Sequence, residues 1–115
     1  MATDSAPQAQ QAPRERAVVF FDRRELGQLL SVYGRMVSAG HWRDYAIEGH
    51  GEAAVFSVFR RSSEFPLYRI EKRPALGRRQ GAWSVLAHGG LLLKRGHDLA
   101  QVLRVFDRAR FTVVD

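Results

Sequence analysis

Cysteine is absent from this 115-residue chain, which excludes a disulfide frame, a thiol nucleophile and a zinc–thiolate site together. No apolar run approaches the roughly 18 residues that a membrane-spanning helix needs. A G-x-x-x-x-G-K-[ST] phosphate loop is missing, and His41, His50, His88 and His97 form no H-x-x-x-H or comparable metal spacing. Ser57, Ser62, Ser63 and Ser84 lack any nucleophile elbow. His41 with Asp44 and His97 with Asp98 are acid–base neighbours without a nucleophile to activate. These absences point away from an enzyme: no catalytic residue, metal or cofactor is expected. An enzyme with His97 in a small-molecule anion pocket would need a concave cavity that sequence does not display.

The first ten residues, MATDSAPQAQ, carry Asp4 where a signal peptide needs positive charge and then an apolar run. A soluble cytoplasmic protein without membrane contact is the expectation. Residues 1–16 are rich in Ala, Gln and Pro with no hydrophobic period, and are expected to be a disordered tail. Residues 17–115 form the single domain. The 45% hydrophobic content and the 7 Phe, 3 Tyr and 2 Trp residues suffice for one core.

What is abundant is arginine. Net charge is +6 and the isoelectric point about 10.7. The tail is neutral, Asp4 and Glu15 against Arg14 and Arg16, so the excess lies on the domain. Such a balance favours nucleic acid or another polyanion as partner. Arginine outnumbers lysine 16 to 2, however, which the codon bias of a GC-rich genome would also produce.

The segment that organises the chain is Ala53–Lys72, AAVFSVFRRSSEFPLYRIEK. Two runs of β-formers, Ala53–Arg60 and Pro66–Lys72, flank a polar break with turn chemistry at Ser62–Ser63, which predicts a β-hairpin. Ahead of it, Ala17–Phe21 reads as a strand or an extended lead-in. Asp22 with Glu25 makes a capping box, and Leu26, Leu29, Leu30, Tyr33, Met36 and Val37 recur at helical spacing up to Gly40. Gly27 and Gly34 inside this helix suggest close approach by a neighbouring element. A strand near 44–48 precedes the turn Gly49–Gly51. After the hairpin come the loop Arg73–Gly81, a strand at Ala82–Ala87 with Trp83, Val85 and Ala87 on one face, a turn at His88–Gly90 and a strand at Leu91–Lys94. Asp98 and Gln101 begin a second helix, carrying Leu99, Val102, Leu103 and Phe106 and ending near Arg110. Residues 111–114 (FTVV) either add an edge strand or tuck under. The order predicts an α+β domain: an antiparallel meander of about four to five strands with two helices packed on one face.

The stretches VVFFDRREL, LLSVYGRMVSAG and WRDYAI (within 18–47), FSVFRRSSEFPLYRIEKRP (56–74) and LLLKRGHDLAQVLRVF (91–106) resemble a family of short bacterial proteins known as a domain of unknown function. The resemblance covers most of residues 17–107. It implies a cytoplasmic bacterial protein and transfers no activity, cofactor or catalytic residue.

Alternation of strand direction places the ends of the strands at 66–72 and 91–94, and the start of 82–87, on one rim. Lys72, Arg73, Arg78, Arg79, Lys94 and Arg95 gather there, beside the start of the second helix, whose free amides would add to an anion site. The functional reading is a phosphate-binding rim for nucleic acid or nucleoprotein; the plain one is a charged edge that blocks aggregation. Asp98 competes for the helix amides. At the opposite end Arg61 is expected to pair with Glu64. A rival reading starts from the strand Ala53–Arg60, apolar on both faces. Val55 and Phe59 on its second face need cover from 17–21, from FTVV, or from a homodimer or protein partner, which would make the protein an adaptor. Phe59 with Arg69 would also serve as a stacking platform for a single strand.

Overall fold

A computed structural model describes residues 18–61 and 65–107. The capping box is present in full: the Asp22 carboxylate accepts from Glu25 N and Glu25 from Asp22 N, both at 2.8 Å. It opens helix α1, Arg23–Ser38, whose buried residues Leu29, Val32 and Met36 face the core. Gly40 follows the Ala39 cap at φ 87, a left-handed conformation that closes the helix. Gly27 and Gly34 have nothing within 4 Å of an added Cβ. No described element approaches them, contrary to the close packing expected; they lie on the solvent side.

Five strands follow: β1 Asp44–His50, β2 Ala53–Phe59, β3 Tyr68–Lys72, β4 Trp83–Ala87 and β5 Leu91–Gly96. They form one antiparallel sheet in the order β1-β2-β3-β4-β5. The predicted meander is therefore the fold, with β1 and β5 each two residues longer than expected. The Arg73–Gly81 connection contains a 3₁₀ turn at Pro74–Leu76, and His88–Gly90 is another. Helix α2 is only Leu99–Leu103, continued by a 3₁₀ turn at Arg104–Asp107. The expected helix end near Arg110, the FTVV segment, the Ser62–Ser63 turn and the tail lie outside the described residues.

Register explains the core. Phe56 pairs with Ile70 and Ile70 with Val85, while Val58 pairs with Tyr68, so these side chains share one face. Both helices pack on it, and Phe56, Val58, Ile70, Val85 and Val102 are at most 1% exposed. Trp42, on the link between α1 and β1, fills the middle, edge-on to Phe106 at 5.0 Å. Arg35 reaches Asp107 at 2.8 Å and joins α1 to the end of the helical layer.

The lead-in lies on this same helix-bearing face. Phe21 stacks on Trp83 at 6.1 Å, and Val19 N donates to Gly51 O at 2.9 Å. It therefore does not cover the second face. That face carries Val55, buried at 6% exposure, and half-buried Phe59. Val55 stands between Glu48 and Glu71 in the cross-strand row. Of the covers expected for this face, the chain itself buries Val55, which is not an open contact, while Phe59 stays half-buried.

Candidate functional site

The rim at the end of β3, the start of β4 and the end of β5 is built by a close backbone approach. Gly81, at φ 97, lies directly against Gly96, and an added Cβ there would overlap the Gly96 backbone. Arg73 N donates to Ala82 O at 2.7 Å, closing the base of the connecting loop. This seats the loop that carries Arg78 and Arg79 beside the β5 end that carries Lys94 and Arg95.

The six predicted cations divide into two groups. Lys72 projects to the helix face, donates to Phe20 O at 2.8 Å and meets Glu25 Oε1 at 2.7 Å. Its ammonium also lies 5.9 Å from the Trp83 ring centroid. With both side chains under one-fifth exposed, Lys72 is a neutralised tie between α1 and β3, not an open contact. Arg73 projects toward Glu71, Nε to Oε1 3.3 Å, and Arg69 approaches the same carboxylate at 3.8 Å. Arg78, Arg79 and Lys94 are exposed and Arg95 half-buried. Among the described residues no hydrogen bond or ion pair engages these four side chains. They are the open cations among the six.

Helix α2 adds less than its position suggested. It is one short turn, and the Asp98 carboxylate already accepts from Gln101 N at 3.1 Å, so its start is occupied by the chain's own anion. Two cations were missed: Arg23 and Arg24 are exposed in the first turn of α1, which the Glu25–Lys72 contact brings to this rim. No local pattern signals that, because the tie spans 47 residues.

At the opposite end of the sheet the β2–β3 and β4–β5 connections border a cleft of about 480 Å³, lined by Phe65, Pro66, Arg69, Leu86 and His88 among others. His97 is not part of it. Arg60 and Arg61 are exposed at that end, and Glu64, the expected partner of Arg61, lies outside the described residues. Among the described residues no group of three or more His, Asp or Glu is placed to hold a metal ion. No described helix is long and apolar enough to cross a membrane.

Two tyrosines near the core have their hydroxyls pushed above the ordinary value of 10.0. Burial is the main cause for both; Asp44 and Tyr45 add to it at Tyr33, while Arg60 opposes it at Tyr68.

Neither the curated proteins nor the solved structures contain a match to this chain. A family described as "Protein of unknown function (DUF2794)" matches residues 19–103, a span that runs from the lead-in through β5 to the end of α2. The chain belongs to the DUF2794 family.

Proposed function

We propose that this protein is a small non-enzymatic binding module of the bacterial cytoplasm that holds a polyanion, a nucleic-acid backbone alone or within a nucleoprotein, on its basic rim. The observation that carries the reading is the division among the cations. Lys72 and Arg73 are matched by Glu25 and Glu71, while Arg78, Arg79, Lys94 and Arg95 have no such match among the described residues and sit on two segments joined at Gly81 and Gly96. Guanidinium groups suit phosphate because their planar donors engage its oxygens in pairs. No base-reading element is offered, so binding would follow the backbone and not the sequence.

The test is binding of the purified protein to labelled duplex DNA and single-stranded RNA across a salt series. Four phosphate contacts on duplex DNA give a slope of log affinity against log salt of about −3.6, or on the order of 100-fold weaker binding between 50 and 200 mM. Arg78→Glu with Arg79→Glu should abolish the interaction without unfolding the protein. Absence of binding at low salt would sink the reading. The rival, an adaptor or homodimer joined through Val55 and Phe59, is the second reading: Val55 is buried at 6% exposure, which weighs against it, while Phe59 is half-buried.

A further inference from the structure

The core uses only part of the apolar stripe on α1. Leu30 and Val37 remain 39% exposed and share a helix face with Tyr33, by their spacing of three and four. The Tyr33 ring lies 4.8 Å from that of Tyr45 on β1, so this surplus stripe overhangs β1. Strand β1 is an outer edge of the sheet. On its helix side it presents Tyr45 at 39% and Ile47 at 47% exposure, with Phe20 at 70% nearby. The Asp44 carboxylate accepts from Tyr45 N–H at 2.8 Å. The other outer strand, β5, carries Lys94 and a register irregularity opposite Val85 and Leu86, devices that blunt an edge. The seven β1–β2 pairs are regular.

We infer that β1 is a dimer interface: a second copy of this chain adds its own β1 antiparallel across a two-fold axis, extending the sheet and bringing the two α1 overhangs together. This inference does not depend on the polyanion reading. Charge selects both the partner and the register. With both helical layers on one side, opposed residues must share a face, which leaves three central alignments. Centring on Ala46 sets Asp44 against the partner's Glu48, and centring on Glu48 sets two glutamates together; like charges directly opposed are unfavourable. Centring on Ile47 sets Asp44 against the partner's His50, Tyr45 against the partner's Gly49, and Ile47 on its own counterpart. Gly49 has no side chain, and the lead-in fills the place a Cβ would take, Val19 O at 3.3 Å with the Val18 and Phe20 side chains at 3.7 and 4.0 Å, so an opposed tyrosine ring would lie beside Val18 and Phe20 as apolar neighbours. The strand is complementary to itself in this one alignment.

The test is the mass of the full-length protein in solution by light scattering, followed by cross-linking. The expected result is a particle of twice 13.0 kDa. Ile47→Glu, at an exposed position, should weaken the dimer by at least about tenfold in dissociation constant while leaving circular dichroism unchanged. Because the chain has no cysteine, Ile47→Cys supplies the only thiol and should close a disulfide across the axis on mild oxidation; Leu92→Cys on β5 should not. A monomer up to the highest soluble concentration overturns the inference. So does cross-linking through Leu92→Cys in place of Ile47→Cys, or growth into open-ended polymers.

Discussion

The backbone of Gly81 lies directly against that of Gly96, with Gly81 at φ 97. The contact joins the loop after β3, which carries Arg78 and Arg79, to the end of β5, which carries Lys94 and Arg95. Gly81→Ala would meet both a strained backbone and an overlap that no flexible side chain relieves. It should lower unfolding free energy by at least about 2 kcal/mol, read as a lower midpoint in urea at unchanged slope.

Lys72 and Glu25 test the split within the rim. Because the pair is largely enclosed, removing one partner strands the other charge. Lys72→Ala and Glu25→Ala should each destabilise the fold, and a double-mutant cycle should give a coupling of about 1 kcal/mol. Arg78→Ala and Arg79→Ala should stay within about 0.5 kcal/mol of the parent protein. Comparable losses at all four positions would contradict the division of the cations.

Val55 separates interior from interface. With 6% exposure, Val55→Asp should act as a folding variant, losing roughly 3 kcal/mol or more through an unpaired buried charge. A stable, fully folded Val55→Asp protein would show that the second sheet face is open after all.

Gly27 and Gly34 offer the opposite sign. Both are helical, and neither would bring a Cβ against a neighbour. Each glycine-to-alanine change should raise stability by about 0.5–1 kcal/mol, nearly additively, as thermal midpoints would register.

Alkaline pH should weaken the fold. The tyrosine hydroxyls of Tyr33 and Tyr68 are raised above 10.0 by burial. Between the unfolded and folded values the unfolded chain has released protons that the folded chain retains. Stability is therefore complete below about pH 10 and declines as pH climbs through the folded values. Unfolding curves from pH 8 to 11 check this; Tyr33→Phe should flatten part of the decline.

The elements of this fold were legible because their signals are local. The Asp22–Glu25 box, the helical stripe from Leu26 to Val37 and the two runs of the Ala53–Lys72 hairpin each lie within one window of sequence. A meander joins neighbours in sequence to neighbours in space, so strand order followed from them. Helix α2 passes into a 3₁₀ turn at Arg104–Asp107 because Phe106 continues an apolar pattern that both helix types satisfy. The packing role expected of Gly27 and Gly34 fails because sequence does not tell a solvent face from a crowded one.

The sequence by itself determined where this chain turns, which faces of its strands are apolar and that its surplus charge is positive, since each depends on residues a few positions apart. Tertiary structure alone decided which charges remain available. Lys72 and Arg78 look alike in sequence. One is enclosed against Glu25, 47 residues away, and the other stands in solvent on a loop held by Gly81 and Gly96, because pairing across such separations is set by how the layers pack.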